Sequence, residues 1–359
     1  MTELVLAGAA TTALTHFAMY GLASIVEHET GRSVASYWHD SGTPKARVVV
    51  DGLDEEQIAA AVHQHANRCA ADGSWLHAQT DIGGKPTAAF SPRIHIPADD
   101  GEWIALQQTR QRCIDEVVQS GGFLDLAMIG GLGEPAYWRF DGKDRRPDHG
   151  ASRWEMKART HGADFVGGRL RPMAQVVADR SPVAILDGLT GVRLCDELVN
   201  DDPSSSQTAT GFTRPEPTDC AIAWCALWGI ANFPLAHHIS TISTTPAAFP
   251  TTVLHTRFMV LPVITRPVAT ARMRSILVSA ALRVHAEQQC GTSSHDPLLV
   301  DAARRWLKSR GVAATVLFPI EKAGTKNAPQ RFVLEGTINV LSANESAGLL
   351  EHRTGGQST

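Results

Sequence analysis

The segment that most restricts the fold of this chain is an almost purely apolar stretch after Asp219, which reads CAIAWCALWGIANF. Asp219 is a typical helix N-cap residue and Pro234 ends the stretch, so we predict a helix between them. Trp224 and Trp228 lie one helical turn apart on it. Two indoles at that spacing can form a stacking platform for bases, but such pairs are more often core residues, and we predict burial for both.

Other segments repeat apolar residues at helical spacing, and shorter ones have the composition of strands. A capping box at Asp54 and Gln57 marks one helix start, and Gly31 fits a helix end. Pro172 lies inside a predicted helix, which we expect to be kinked or divided into two short helices. We predict helices over residues 10–29, 54–69, 100–120, 164–180, 181–188, 219–233, 267–287 and 296–311, and strands over residues 4–6, 47–50, 123–129, 154–157, 252–264, 312–320 and 331–341. The fold class is therefore α+β, with helices and short antiparallel sheets in two lobes.

At 359 residues the chain exceeds the usual size of a single core, so we predict two domains. Residues 1–200 form an N-terminal α+β domain and residues 219–343 a helix-rich α+β domain. Residues 201–218 are rich in Pro, Ser and Thr and have no apolar periodicity, which is typical of a linker or mobile loop. The polar residues 344–359 form a disordered tail.

The composition excludes several classes of protein. Hydrophobic residues make up 43% and charged residues 19% of the chain, which is typical of a globular protein. We find no uninterrupted apolar run of membrane-spanning length and no positively charged start of a signal peptide. The six cysteines show no zinc-site spacing, and GGLGEP lacks the lysine of a phosphate-binding loop. We therefore predict a soluble, cytoplasmic protein with no metal and no cofactor.

A basic island occupies residues 139–171, where nine Lys and Arg face five Asp and Glu in a chain of formal charge −4. Guanidinium groups bind phosphates and guanine edges, and indoles stack on bases. Arg214 adds a cation to the predicted mobile loop. The predicted nucleic-acid contacts are Arg145, Arg146, Arg153, Trp154, Lys157, Arg159, Arg169, Arg171 and Arg214. The alternatives are a solvated loop whose charges pair with one another and, for Arg214, a passive linker. The helix of residues 267–287 carries Arg272, Arg274 and Arg283 outward as a second basic patch.

Four blocks carry a resemblance to a known family. They read LAGAATTALTHFAMYGLASIV, GASRWEMKARTHGADFVGGRLRPMAQVVADR, TATGFTRPEPTDCAIAWCALWGIANFP and TVLHTRFMVLPVITRPVATARMRSIL. Together they resemble the compact large-subunit-like proteins of type I-U, or type I-G, CRISPR surveillance complexes. Many large subunits end in an all-helical bundle, whereas residues 312–341 of this chain have the pattern of strands.

The resemblance implies a non-catalytic protein that sits at the end of a crRNA-containing complex of backbone and crRNA-end-capping subunits. Such a subunit contacts the short motif beside the double-stranded DNA target, helps to open the duplex, stabilises the displaced strand and recruits the helicase-nuclease. Arginines on a positioned loop fit that role.

Two other functions remain open. Asp148, Glu155 and Lys157 match the letters of a PD-(D/E)xK nuclease, in which acids hold a divalent metal and the lysine positions water. The alternative for Glu155 and Lys157 is an ion pair on the outer face of a strand. A third function is that of a structural scaffold that packs against RNA-binding neighbours without touching DNA.

Overall fold

The computed structural model describes residues 2–39, 42–94, 97, 99–135, 140–141, 144–145, 147–156, 164–199, 208–238, 241–325 and 328–341. Within them, ten α-helices and thirteen strands give an α+β fold, as predicted. The helices are α1 (Ala13–Thr30), α2 (Glu55–Ala70), α3 (Asp100–Gln119), α4 (Phe123–Leu132), α5 (Arg171–Ala178), α6 (Pro182–Thr190), α7 (Cys220–Trp228), α8 (Thr270–Leu277), α9 (Ala280–Gln289) and α10 (Pro297–Ser309).

The strands are short apart from one. They are β1 (Thr2–Val5), β2 (Val34–His39), β3 (Lys45–Val50), β4 (Gln79–Ile82), β5 (Lys85–Ala88), β6 (Phe140–Asp141), β7 (Asp144–Arg145), β8 (Ala248–Phe249), β9 (Phe258–Ile264), β10 (Val268–Ala269), β11 (Val312–Thr325), β12 (Ala328–Val333) and β13 (Thr337–Val340). The predicted strand at residues 331–341 is thus divided between β12 and β13.

Two antiparallel sheets organise these strands. The first has the order β1-β3-β2-β10, and α1 packs against β2 and β3. The second is built on the long strand β11, which pairs with β9 on one side. On its other side, β11 pairs first with β13 and then, further along, with β12. The hairpins β4-β5 and β6-β7 stand apart from both sheets.

The centre of the molecule is the contact between α1 and α7, where two backbones touch. A Cβ atom on Gly21 would lie 1.8 Å from the carbonyl oxygen of Cys225. A Cβ atom on Gly229 would lie 2.3 Å from the carbonyl oxygen of Phe17. Glycine at both positions therefore allows an approach that any side chain would prevent. Since α1 and α7 come from the two predicted domains, both contribute to one continuous hydrophobic core. The predicted domain boundary itself stays a prediction.

The strongest local sequence signals are confirmed. The side chains of Trp224 and Trp228 are completely buried, as predicted for core residues. Asp54 and Gln57 form the capping box of α2, and Gly31 ends α1 with a φ of 65°. The predicted helix around Pro172 is a π-helical turn (Val166–Leu170) that leads into α5.

Four predictions about secondary structure were wrong or incomplete. The apolar run at residues 123–129 forms helix α4, because a short apolar run does not distinguish a buried helix from a strand. The strand at residues 252–264 begins only at Phe258. The single helix at residues 267–287 is two helices, separated where Ser279 caps α9. Strand β2, with alternating burial, was not predicted.

The predicted mobile loop is partly packed. Residues 201–207 lie outside the described residues, but residues 208–218 are anchored by Phe212, which is 1% exposed. Its ring stacks on that of Phe17 with centroids 3.9 Å apart. One aromatic side chain thus anchors a segment that has no apolar periodicity. The predicted tail, residues 344–359, lies outside the described residues. No helix in the described ranges has the length and apolarity needed to cross a membrane.

Candidate functional site

Residues 147–156 of the basic island pass through the interior of the protein without forming a strand. After a 3₁₀ turn (Pro147–Gly150), the Ser152 amide donates to the carbonyl oxygen of Leu132 at 2.9 Å. The Arg153 amide donates to Thr245 Oγ1 at 3.0 Å. A buried segment with no ladder of its own leaves many carbonyl oxygens in need of donors.

Arginines supply those donors. Arg93 Nη1 donates to the carbonyl oxygen of Glu155 at 2.8 Å, and its Nη2 donates to that of Ser152 at 3.1 Å. Arg169 Nη1 donates to the carbonyl oxygen of Met156 at 2.8 Å. The planar guanidinium offers five N–H groups, so one side chain can bind two carbonyl groups at once. The segment is therefore held in place by arginines instead of by regular secondary structure.

Four arginines and two acids make up this site, which we call the arginine cluster. Its members are Arg93, Arg153, Arg169, Arg331, Asp148 and Glu155.

Three atoms of the arginine cluster define its charge geometry. Arg93 Nε lies 3.0 Å from Asp148 Oδ1, at an angle that makes an ion pair and not a hydrogen bond. The same nitrogen lies 4.0 Å from Glu155 Oε2. Glu155 Oε2 is buried and has no hydrogen-bond partner among the described residues.

The second pair of arginines meets at another carbonyl group. Arg153 Nη1 and Arg331 Nη1 both lie 3.4 Å from the carbonyl oxygen of Leu254. Arg153 also lies 3.4 Å from the carbonyl oxygen of Asp148 through both Nη atoms. Two positive groups thus share one neutral acceptor.

Burial changes the acidity of the cluster. Desolvation raises the pKa of Glu155 to about 7, although nearby Arg93 and Arg169 act in the opposite direction. Desolvation and, to a smaller extent, repulsion from Arg93 lower the pKa of Arg153 and that of Arg331 to about 9. Desolvation likewise lowers the pKa of Arg169 to about 10. The cluster therefore holds more positive charge than its two acids compensate.

This arrangement places three of the predicted nucleic-acid contacts inside the protein. Trp154 is completely buried, with its ring centroid 6.1 Å from those of Phe17 and Phe233. Its Nε1 donates to the carbonyl oxygen of Pro246, so a base cannot stack on this indole. Arg153 and Arg169 are 2% and 7% exposed. The predicted strand at residues 154–157 is also wrong for the described part, because residues 154–156 belong to no strand. The predicted division into two faces is absent as well, since Trp154, Glu155 and Met156 are all buried.

The other predicted contacts are in different situations. Arg146, Lys157 and Arg159 lie outside the described residues, and only the backbone of Arg145 is described. Arg171 is half-buried at the start of α5. Arg214 is exposed, and its Nη2 lies 3.7 Å from Glu321 Oε2.

The position of Arg93 argues against the nuclease hypothesis. Asp148 and Glu155 do approach each other, but the guanidinium that lies beside both carboxylates occupies the position a divalent cation would need. Across the described ranges, no three His, Cys, Asp or Glu side chains group as a metal site would. The outer-face ion pair predicted for Glu155 is wrong as well, because Glu155 is 2% exposed.

The most basic described region lies elsewhere, at residues 257–310, which we call the C-terminal basic segment. Nine Arg and Lys stand against three Asp and Glu there, a formal charge of +6. The segment spans β9, β10 and the three helices α8, α9 and α10. Arg272 and Arg283, predicted as part of a second basic patch, are exposed, and Arg274 is half-buried.

The three acids of the C-terminal basic segment are already engaged. Glu287 Oε2 lies 2.8 Å from His295 Nε2, and Glu287 Oε1 lies 4.0 Å from Arg283. Asp301 pairs with Arg305 at 3.2 Å. Asp296 caps α10 by accepting from the Leu298 amide.

Six arginines of the segment have no acidic partner within 4.0 Å among the described residues. They are Arg257, Arg266, Arg272, Arg274, Arg304 and Arg310. Arg310 lies over the Trp306 ring at 5.0 Å, and the Arg266 side chain lies beside Gly311. Exposed arginines without acids of their own are the side chains that bind a polyanion from outside.

The sequence predictions missed both long-range members of the cluster, Arg93 and Arg331, because neither is near the basic island in the chain. They also missed Arg266, Arg304 and Arg310. A count of charges over residues 257–310 would have found those three, since that interval has a larger excess of cations than the basic island.

Comparison of this chain with known protein families, characterised proteins and solved structures finds no match.

Proposed function

We propose that this chain is a non-catalytic, nucleic-acid-binding subunit, and specifically the large subunit of a type I CRISPR surveillance complex. The observation that carries the binding role is the C-terminal basic segment, with its uncompensated arginines on a chain of net charge −4. A local excess of exposed positive charge on an acidic protein favours a polyanion at that place over general adhesion to anions.

The assignment to a surveillance complex rests on the sequence resemblance. One of the resembling blocks, TVLHTRFMVLPVITRPVATARMRSIL, covers residues 252–277 and contains Arg266, Arg272 and Arg274. The block therefore includes part of the exposed positive charge, namely Arg257, Arg266 and Arg272. In this proposal the partners are the crRNA-containing complex, target duplex DNA and the helicase-nuclease. Arg171 and Arg214, together with Arg145, Arg146, Lys157 and Arg159, remain candidates for additional contacts.

The binding role is tested by fluorescence anisotropy with a labelled DNA duplex over a series of salt concentrations. The triple variant Arg272→Ala/Arg304→Ala/Arg310→Ala removes three exposed cations. Each lost phosphate contact is expected to reduce the slope of log affinity against log salt by about 0.9.

The matched control is Lys85→Ala/Arg112→Ala/Arg193→Ala, which removes three exposed cations outside the C-terminal basic segment. We expect its salt slope to equal that of the unmodified protein. Equal losses in the two triple variants would show that binding is a property of total charge and would defeat the proposal.

The place in the complex is tested by assembling the surveillance complex with and without this chain. We expect target-duplex affinity to fall when the chain is left out. A complex that binds duplex equally well without it would support a scaffold role.

The absence of catalysis has its own test in the variants Asp148→Ala and Glu155→Gln. We expect no cleavage of DNA or RNA with magnesium or manganese, by the unmodified protein or by either variant. Metal-dependent cleavage that disappears in both would establish the nuclease reading instead.

A further inference from the structure

The arginine cluster contains N–H donors that form only long hydrogen bonds, or none, with the described residues. The hydrogen bonds of Arg153 to the carbonyl oxygens of Asp148 and Leu254 are all 3.4 Å long, outside the usual 2.7–3.2 Å. Arg331 makes one hydrogen bond in the described part of the chain, also 3.4 Å long, to the carbonyl oxygen of Leu254. Among the described residues, its Nε and Nη2 have no hydrogen-bond partner.

The strand pairing adds a second cation next to Arg331. Lys322 of β11 is the direct cross-strand partner of Arg331 in β12. Directly opposite residues of an antiparallel ladder project on the same face, about 5 Å apart at Cβ, and like charges there repel each other. An anion that lay between or beside the two side chains would relieve this repulsion.

The same place is open to solvent. His255 and Lys322 are exposed, Arg331 is half-buried and the Asp148 side chain is 50% exposed. Partial desolvation, and then the positive charges of Arg331, Lys322 and Arg93, lower the pKa of His255 to about 4. The imidazole is therefore neutral near pH 7 and can donate one hydrogen bond to an anion.

The acids of the cluster do not balance these cations. Asp148 is engaged with Arg93, and Glu155 faces Arg93, Arg153, Arg169 and Arg331 from a fully buried position. Buried or half-buried charge is expensive unless it is paired, so four guanidinium groups and Lys322 exceed what two carboxylates offset.

We propose that the rim formed by Arg331, Lys322 and His255, with Arg153 reaching it from the interior, is a binding site for an oxyanion of the phosphate class. A guanidinium fork matches the oxygen spacing of phosphate or sulfate and binds it through two parallel hydrogen bonds. The anion is either a free inorganic ion or a phosphate group of a nucleic acid. The inference goes beyond the proposed function, which depends on the C-terminal basic segment and not on this rim.

Sodium sulfate is the probe for the site, because sulfate remains a dianion between pH 6 and 8. We expect isothermal titration calorimetry at constant ionic strength, balanced with sodium chloride, to give saturable binding and a parallel rise in Tm. Arg331→Gln should weaken sulfate binding by about tenfold or more, since it removes the fork. Arg193→Gln, which changes an exposed arginine outside both the cluster and the C-terminal basic segment, is the matched control and should bind sulfate as the unmodified protein does.

A second measurement does not depend on the folding of Arg331→Gln. Protonation of Glu155 removes a negative charge from the cluster, so the unmodified protein should bind sulfate several-fold more tightly at pH 6 than at pH 8. Glu155→Gln should bind equally at the two pH values. Failure of the unmodified protein to bind sulfate saturably, or equal affinities of Arg331→Gln and Arg193→Gln, would overturn the inference.

A ten-residue oligothymidylate distinguishes the two sources of the anion. If it displaces sulfate and its own affinity falls in Arg331→Gln, the site takes a nucleic-acid phosphate. If inorganic phosphate displaces sulfate and the oligonucleotide does not, the site takes a free anion. The triple variant of the C-terminal basic segment should retain sulfate binding in both cases, which separates this inference from the proposed function.

Discussion

The arginine cluster and the C-terminal basic segment use the same side chain for opposite purposes. In the cluster, Arg93 and Arg169 are almost completely buried and donate to backbone carbonyl groups at 2.8–3.1 Å. In the C-terminal basic segment, Arg272, Arg304 and Arg310 are exposed and have no acidic partner among the described residues. The first set stabilises an interior segment that lacks regular structure, and the second set is available to a partner. Local charge by itself therefore does not identify a binding surface, whereas the burial of each guanidinium does.

The largest expected effect is the loss of stability in Arg93→Ala, which removes a buried arginine of the cluster. The change leaves the carbonyl groups of Ser152 and Glu155 without donors and Asp148 without its ion-pair partner. Removing one partner from a buried charged network costs about 3–5 kcal/mol. Urea unfolding followed by tryptophan fluorescence measures this loss, with Arg272→Ala as the control. A loss below about 1 kcal/mol would mean that Arg93 is dispensable to the fold and that the contrast with the exposed arginines is invalid.

The second effect concerns the pH dependence of stability. The pKa of Glu155 is about 7 in the folded protein, above its ordinary value of 4.5. Between pH 4.5 and pH 7, Glu155 is therefore protonated in the folded state and ionised in the unfolded state. Glu155 therefore makes the protein less stable as pH rises from 4.5 through 7. The expected difference is on the order of 3 kcal/mol for one fully buried carboxyl.

Glu155→Gln should remove this part of the pH dependence, because glutamine stays neutral at every pH. The measurement is the free energy of unfolding of both proteins at pH 4.5, 6, 7 and 8. The stability of the unmodified protein should fall relative to that of the variant over this range. Parallel pH profiles would show that Glu155 keeps an ordinary pKa and that the cluster is more solvated than its burial indicates.

The third test uses Arg169→Met, which keeps an unbranched apolar stem and removes the hydrogen bond to the carbonyl oxygen of Met156. The loss of a buried hydrogen bond from a charged donor is expected to cost about 1–3 kcal/mol. The salt slope of DNA binding should be unchanged, because a side chain that is 7% exposed makes no phosphate contact. A fall of that slope by about one unit would instead support the sequence prediction that Arg169 binds nucleic acid.

The smallest effect is expected at the exposed pair of Arg305 and Asp301, which are four residues apart on α10. Arg305→Ala should change the free energy of unfolding by about 0.3–0.5 kcal/mol, and the effect should vanish in high salt. Thermal melts at low and high sodium chloride measure it. A salt-independent loss of several kcal/mol would place this exposed arginine in the same class as Arg93 and remove the distinction between the two regions.

The features that were predicted correctly are local ones. The apolar helix α7 was evident because almost every residue from Cys220 to Trp228 is apolar, and such a helix is stable only in an interior. The capping box of α2 and the N-caps Ser181, Asp219 and Asp296 depend on contacts within a few residues. Helix α4 was missed because its apolar run has no periodicity that separates a helix from a strand.

The features that failed depend on contacts between distant parts of the chain. Arg93 meets Glu155 across 62 residues, and Arg153 meets Leu254 across 101. Nothing near the basic island indicates that its backbone is buried and needs donors from outside. Trp154 was predicted to stack on bases for the same reason, since a tryptophan between basic residues has the same local pattern whether it faces solvent or Phe17.

The sequence by itself determined that this protein is α+β, where most of its helices begin and end, and that it has two concentrations of positive charge. Those properties follow from periodicity, capping and composition, which act over a few residues. Only the tertiary structure decided which arginines are buried. The physical reason is that a guanidinium becomes structural when folding surrounds it with unsatisfied carbonyl groups, and remains available for binding when folding leaves it in water.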